Sequence, residues 1–272
     1  MIRLLPALLL VAAALSAATV THDIEYVKRG AVSLLLDASI PDGPGPFPTV
    51  IIVHGGGFLR GSKITYVTPI FQPLTNAKFA WFSINYRLAP EFHLPAPVDD
   101  VVSALQWVHQ HAAEYKVDRK RIALLGESAG AYLVDYAAMI PLKDTPVAAV
   151  VSFYGPHDLT LQAKAKGVSE GLRGLTGVTA LDPAGKERLR GFSPYFMPHN
   201  GVPPFLLLHG TADEQVPYEQ SPRFCEALKA QGGACELYTI PDARHGMGQW
   251  EEHAEFLAYK AKVVEWLQKT MR

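Results

Sequence analysis

Apolar positions along the chain fall into two alternating rhythms. Residues 49–54 (TVIIVH), 121–126 (RIALLG) and 204–209 (PFLLLH) are short, nearly continuous apolar runs. Such runs suit strands buried on both faces of a sheet. The runs 80–86 (AWFSINY), 146–154 (PVAAVVSFY) and 235–240 (CELYTI) read as further strands, and two earlier ones are expected around EYVKR at 25–29 and VSLLLDASI at 32–40. Between them lie stretches of helical spacing. One covers 66–77; another covers 97–115, where Val101, Leu105 and Val108 recur on one face. A third starts from Ser128, a fourth spans 219–231, and the last ends in FLAYKAKVVEWLQK at 256–269. Regular alternation of strand and helix predicts an α/β fold, with a mostly parallel central sheet and helices on both faces. Residues 157–200 break the rhythm, with few strand signals, several glycines and two short helical stretches. A segment this long between two core strands is expected to be a small lid-like insertion over a site.

The first eighteen residues read differently from the rest. A short basic start, Met1-Ile2-Arg3, precedes twelve apolar residues from Leu4 to Leu15 and then the small residues Ser16-Ala17-Ala18. This layout predicts a signal peptide over 1–18, cleavage near Ala18, and a catalytic domain over 19–272 that is secreted or periplasmic. Twelve helical residues span about 18 Å, short of a bilayer core, so no stable membrane span is expected after cleavage. Export also changes the reading of the two cysteines. Cys225 lies in the 219–231 helix and Cys235 opens the next strand, a reversal that can bring them together as a disulfide; two buried free thiols are the alternative.

Composition removes whole classes of function. The chain has 272 residues with 25 Lys+Arg against 26 Asp+Glu, so it lacks the basic footprint of a nucleic-acid binder. A hydrophobic fraction of 49% excludes intrinsic disorder, and two cysteines are too few for a structural zinc site.

Three clusters carry candidate chemistry. Gly126-Glu127-Ser128-Ala129-Gly130 falls between the 121–126 strand and a helix. At a strand-to-helix turn, small flanking residues allow a sharp bend that lifts the Ser128 hydroxyl above the sheet; serine as a mere helix cap is the competing reading. His54-Gly55-Gly56-Gly57 directly follows the 49–54 strand. Its glycines can turn backbone N–H groups toward an oxyanion, and Gly56, Gly57 and Ala129 are the expected donors. An ordinary glycine-rich turn is the alternative, whereas phosphate binding fails because no G-K-[ST] ending follows. Finally, Asp213 lies in the loop after 204–209 and His245 in the loop after 235–240, on the side of the sheet expected for Ser128. The order Ser128, Asp213, His245 predicts a catalytic triad. Glu214 and Asp242 compete for the acid, and His54, His157 and His209 are expected to be structural or pocket-lining.

Together HGGGF at 54–58, NYRLAPEF at 85–92, GESAG, HGTADEQVP at 209–217 and RHG at 244–246 resemble hormone-sensitive-lipase-like esterases, and equally bacterial feruloyl and acetyl-xylan esterases of the α/β-hydrolase superfamily. The resemblance runs from about Leu34 to Leu267. It implies an ester hydrolase without metal or cofactor that acts through an acyl-enzyme, and it supports Gly56, Gly57 and Ala129 as the oxyanion hole. Two departures matter. The usual GDSAGG reads GESAGA, and the short stretch after residue 18 leaves no room for the N-terminal helical cap of the lipase-like group. An open site suits short acyl groups on bulky alcohols, so the expected substrate is a small-molecule or polysaccharide-linked ester, acetyl or feruloyl. A prolyl-oligopeptidase-type peptidase and a non-catalytic hydrolase-like binding protein are the alternatives.

Overall fold

A computed structural model describes residues 18–142 and 144–272. The expected signal peptide therefore falls almost wholly outside the described residues. Eight strands form one sheet: β1 (Ala18–Arg29), β2 (Val32–Pro41), β3 (Phe47–Val53), β4 (Ala80–Ile84), β5 (Val117–Glu127), β6 (Ala149–Phe153), β7 (Phe205–Gly210) and β8 (Cys235–Ile240). Their order is β1-β2-β4-β3-β5-β6-β7-β8. The first two strands are antiparallel to their neighbours, and the run from β4 through β8 is parallel. From β3 the chain steps outward to β4 and returns to β5 on the other side of β3. Ligand clefts of open α/β sheets form at such a reversal, beyond the carboxyl ends of the strands.

The continuous apolar runs divide cleanly by sheet face. In β3, Ile51 and Val53 join one core while Val50 and Ile52 join the other; Leu124 and Leu125 of β5 divide the same way. One core is covered by α2 (Ala96–Gln110), α3 (Ala129–Met139) and α7 (Gln220–Ala230). The opposite core is covered by α1 (Phe71–Asn76), α8 (Met247–Trp250) and α9 (Ala258–Thr270). Period-2 alternation with both faces buried is what makes these strands apolar at every position.

Two expectations need revision. The first strand begins at Ala18 rather than near Glu25, because Ala18–Thr21 pairs along β2 as an edge, and most side chains from Thr19 to Asp23 lie in solvent. Edge strands need no apolar alternation, so hydrophobic patterning misses them. The 157–200 segment holds three helices rather than two: α4 (Leu159–Lys166), α5 (Glu170–Thr176) and α6 (Pro183–Gly191). Each starts at a side-chain cap: Asp158 accepts from the N–H groups of Thr160 and Leu161, Ser169 from Leu172, and Asp182 from Gly185. The helices are too short for a convincing apolar stripe, and capping chemistry defines them. α5 sits directly on the HGGG loop, where a side chain at Gly171 would collide with the Gly57 carbonyl.

Candidate active site

Ser128 occupies the turn between β5 and α3 with φ +54° and ψ −117°. A non-glycine residue rarely adopts positive φ, and the strain is sustained only by tight surroundings. Here the surroundings are glycine backbones. A Cβ on Gly126 would strike the Gly130 carbonyl, and one on Gly130 would strike the carbonyl of Val53. The two glycines of the motif thus let β5, α3 and β3 approach until Ser128 has one place to stand.

His245 follows β8, with its Nε2 2.9 Å from Ser128 Oγ and its Nδ1 2.7 Å from Asp213 Oδ2. Asp213, in the loop after β7, has a fully buried side chain. Its other oxygen accepts the N–H groups of Gln215 and Val216 at 2.8 Å each. Burial opposes the charge, but hydrogen bonds from His209, His245 and Val216 together hold the carboxyl well below the usual carboxylate range. Neither competing acid reaches His245. Glu214 is exposed and pairs with Arg244 at 3.5 Å, while Asp242 is exposed in a turn whose N–H donates to Thr211 Oγ1.

The HGGG loop leaves β3 beside Ser128. Gly56 and Gly57 have φ of +106° and +64°, conformations that glycine adopts without penalty. Ala129 opens α3, so its N–H has no acceptor within the helix. The loop is braced from below. His54 is buried, bonds the Gly55 carbonyl at 2.7 Å through Nδ1 and stacks on Tyr86 at 4.4 Å. Burial pushes its imidazole down to about 4. Tyr86 donates to the His54 carbonyl at 3.1 Å, and Ala89 N–H donates to the Phe58 carbonyl at 2.9 Å. Arg87 of the same NYRLAPEF run clamps Asp100 of α2, with Nη2 2.7 Å from Oδ1. That run is a buttress for the glycine loop.

Sequence reasoning missed a brace at the site itself. Glu127, the variable position of the G-x-S-x-G motif, is buried and accepts the Gly55 N–H at 2.5 Å. Burial pushes its carboxyl up, against the pull of His245, the Gly55 N–H and the Tyr154 hydroxyl. Because a motif treats this position as free, only its side-chain contact with the glycine loop reveals the role.

Ser128 and His245 open into a cavity of about 530 Å³, also lined by Gly57, Arg60, Tyr66 and Glu170. His54, His157 and His209 stand outside this cavity lining. Cys225 and Cys235 are joined by a disulfide with a Cα–Cα distance of 5.5 Å, tying α7 to β8. Among the described residues no cluster of His, Cys, Asp or Glu could hold a metal ion, and no helix is long and apolar enough to cross a membrane.

The chain is 32% identical over 241 residues to esterase LipQ of Mycobacterium tuberculosis, covering 83% of this chain and 56% of that protein. It spans about half the length of the curated relatives it matches. Among solved structures, a truncated carbohydrate esterase from gut microbiota superposes with a TM-score of 0.81 at 24% identity, covering 96% of this chain and 98% of that one. An acetyl ester-xyloside bifunctional hydrolase from Caldicellulosiruptor lactoaceticus gives 0.79 at 24%, covering 91% and 95%. At these identities the superpositions establish a shared fold. The BD-FAE family profile matches residues 36–228, and the chain belongs to the BD-FAE family, within the α/β-hydrolase superfamily.

Proposed function

We propose that the protein is a serine carboxylic-ester hydrolase that deacylates through an acyl-enzyme on Ser128. The observation that carries this reading is the continuous relay Asp213–His245–Ser128, whose Ser128 and His245 line the cavity. In acylation, His245 Nε2 takes the Ser128 proton as Oγ attacks the ester carbonyl carbon. The resulting oxyanion accepts hydrogen bonds from the N–H groups of Gly56, Gly57 and Ala129. Collapse breaks the bond to the alcohol oxygen, which leaves with the proton from His245. Water then repeats the sequence and frees the acid. Asp213 stays ionised throughout and holds the imidazole in the tautomer with its proton on Nδ1.

The preferred substrates are short acyl esters of polar alcohols, acetyl or feruloyl groups on plant polysaccharides among them. Arg60, Glu170, Gln215 and Glu252 around the cavity offer partners to hydroxyl groups, which an acyl-binding tunnel for lipids would not need. The names of the two carbohydrate-active structural neighbours support the same class. The leader-like segment 1–18 supports export, which suits a polymeric substrate.

The test is a panel of p-nitrophenyl esters from two to twelve carbons together with acetylated xylan and methyl ferulate. Turnover is expected to peak at two to four carbons and to include at least one of the natural esters. Ser128→Ala is expected to abolish all of it while the circular dichroism spectrum stays unchanged. A preference for long chains would overturn the substrate class, and an active Ser128→Ala protein would overturn the mechanism.

A further inference from the structure

Behind the triad acid lies a second buried set of polar side chains. His209, at the end of β7, places Nε2 3.1 Å from the Val216 carbonyl and 3.3 Å from Asp213 Oδ2. Its Nδ1 is 2.8 Å from Ser221 Oγ in α7. Ser221 Oγ is in turn 3.3 Å from His157 Nε2, and His157 Nδ1 is 2.8 Å from Asp135 Oδ2 in the middle of α3. All of these side chains are buried from solvent. Asp135 Oδ2 also accepts from Ser152 at 3.0 Å, whereas its Oδ1 has no partner.

The hydrogens of this chain are determined by its ends. Burial lowers the basicity of His209, against the opposing pull of Asp213, so the ring is neutral and carries one N–H. The Val216 carbonyl and the Asp213 carboxylate can only accept, which places that hydrogen on Nε2. Nδ1 is then an acceptor, so Ser221 donates its hydroxyl hydrogen to it. Ser221 Oγ must accept from His157 Nε2–H, and the remaining proton lies between His157 Nδ1 and Asp135. The side chains Asp135, His157, Ser221 and His209 therefore form one directed chain whose last hydrogen, on His209 Nε2, is shared between the Val216 carbonyl at 3.1 Å and the triad carboxylate at 3.3 Å. Its sole orphan atom, Asp135 Oδ1, costs little when the Asp135–His157 pair is neutral overall.

We propose that His209 is a positioning residue for the proposed triad, locked by Ser221, His157 and Asp135 into the tautomer that donates to Asp213. Through this second donor it fixes the carboxylate and draws on its charge, and so sets the proton affinity of His245. The inference rests on the reading of Ser128, His245 and Asp213 as the triad. Removing the His209 donor returns negative charge to the side of Asp213 that faces His245. This stabilises the imidazolium and moves the acid limb of kcat/KM, which reports the free base, upward. The other groups facing His245 are Glu127, Tyr154 with its ring 4.6 Å away, Arg60, Glu170 and Glu252 around the cavity, and the exposed Arg244–Glu214 pair. Facing His209 are Asp213, His157, Tyr154 and Tyr218. None of these is changed by the variants below.

The experiment compares pH profiles of kcat and kcat/KM for p-nitrophenyl acetate in the parent, His209→Phe, His209→Gln and Ser221→Ala, each with a melting curve. His209→Phe is expected to raise the acid limb by about half a pH unit and to lower kcat about tenfold. His209→Gln, whose amide N–H reaches the Nε2 position, is expected to restore most of both. Ser221→Ala removes the donor that locks the tautomer and is expected to shift the limb the same way by less. A folded His209→Phe protein with an unmoved limb would overturn the inference, leaving a packing role that only the melting curve registers. Should both histidine variants fail to fold, the limb of Ser221→Ala decides alone. An active Ser128→Ala protein would instead bring down the underlying triad reading, so the two failures are distinguishable.

Discussion

Two Asp–His–Ser arrays run end to end through this molecule and differ in one physical respect. Asp213–His245–Ser128 ends at a hydroxyl that lines a cavity, whereas Asp135–His157–Ser221 ends at the buried ring of His209. The residue types are the same, yet only the first array presents an oxygen to which an ester can be brought. The second has no route for substrate, and its serine spends its hydrogen on His209. Beside the first array lie the positive-φ glycines Gly56 and Gly57 and the start of α3; beside the second stand packed rings, with His157 stacked on Phe224 at 4.4 Å. The proposed triad is therefore singled out by what surrounds its serine rather than by its three residue types.

The largest contrast is expected from the two acids. Asp213→Asn reverses the hydrogen bond to His245 and favours the wrong tautomer, so kcat should fall by about 10⁴. Asp135→Asn can still donate to His157 Nδ1 and should cost at most about threefold. Esterase assays on the two purified variants check this, with Asp242→Asn as a surface carboxylate that should leave the rate near the parent's. Comparable losses at Asp135 and Asp213 would mean that the sealed array takes part in the chemistry directly.

Legibility in the sequence follows the same division. The open array announces itself because each member sits in a loop after an apolar strand, where glycines and charged residues stand out: GESAG after β5, HGTAD at the end of β7, RHG after β8. The parallel strands were legible for a related reason, since double burial demands apolar side chains at every position. The sealed array is spread over α3, the turn after β6, and α7, and only Asp135 stands as a single polar residue within an apolar run. Asp135 in AYLVDYAAM did carry a signal. A carboxylate in the middle of an otherwise apolar helix must have a buried partner, and a buried histidine is a natural candidate. Periodicity could not pair them, because their proximity is created by the sheet order. The polar first part of the edge strand β1 and one of the three capped short helices of 157–200 escaped for the converse reason, having little apolar surface to betray them.

The disulfide offers a second, smaller way to separate the arrays. It closes a ten-residue separation between α7, which carries Ser221, and β8, which leads to His245. In the chain-entropy account such a link contributes about 3 kcal/mol, or roughly 6–10 °C in Tm for a domain of this size. The double variant Cys225→Ala/Cys235→Ala is therefore expected to melt lower by that amount. Its kcat, assayed well below Tm, should stay within about twofold of the parent, because Ser128, His245 and Asp213 are held by their own hydrogen bonds. A large loss of rate without a loss of Tm would show that the link orients the site rather than bracing the fold.

The finest distinction lies in how the two carboxyls titrate on folding. The native Asp213 carboxyl lies below the roughly 3.9 of an unfolded aspartate, so its ionisation stabilises the fold above that pH. That stability drains away as pH falls toward the native value. Asp135 is pushed the other way by burial, against His157 and Ser152. The stability from its retained proton is complete below roughly 3.9 and is lost as pH rises through its native value. Asparagine at either position removes that group's contribution. The Tm of Asp213→Asn relative to the parent should therefore become more negative as pH climbs from about 2 to about 5. The corresponding difference for Asp135→Asn should become more positive from about pH 4 toward neutrality. Each swing is expected to be a few degrees, measurable by calorimetry across a pH series. Parallel curves for the two variants would show that both carboxyls change their protonation alike on folding, and the neutral Asp135–His157 anchor of the sealed array would fall with them.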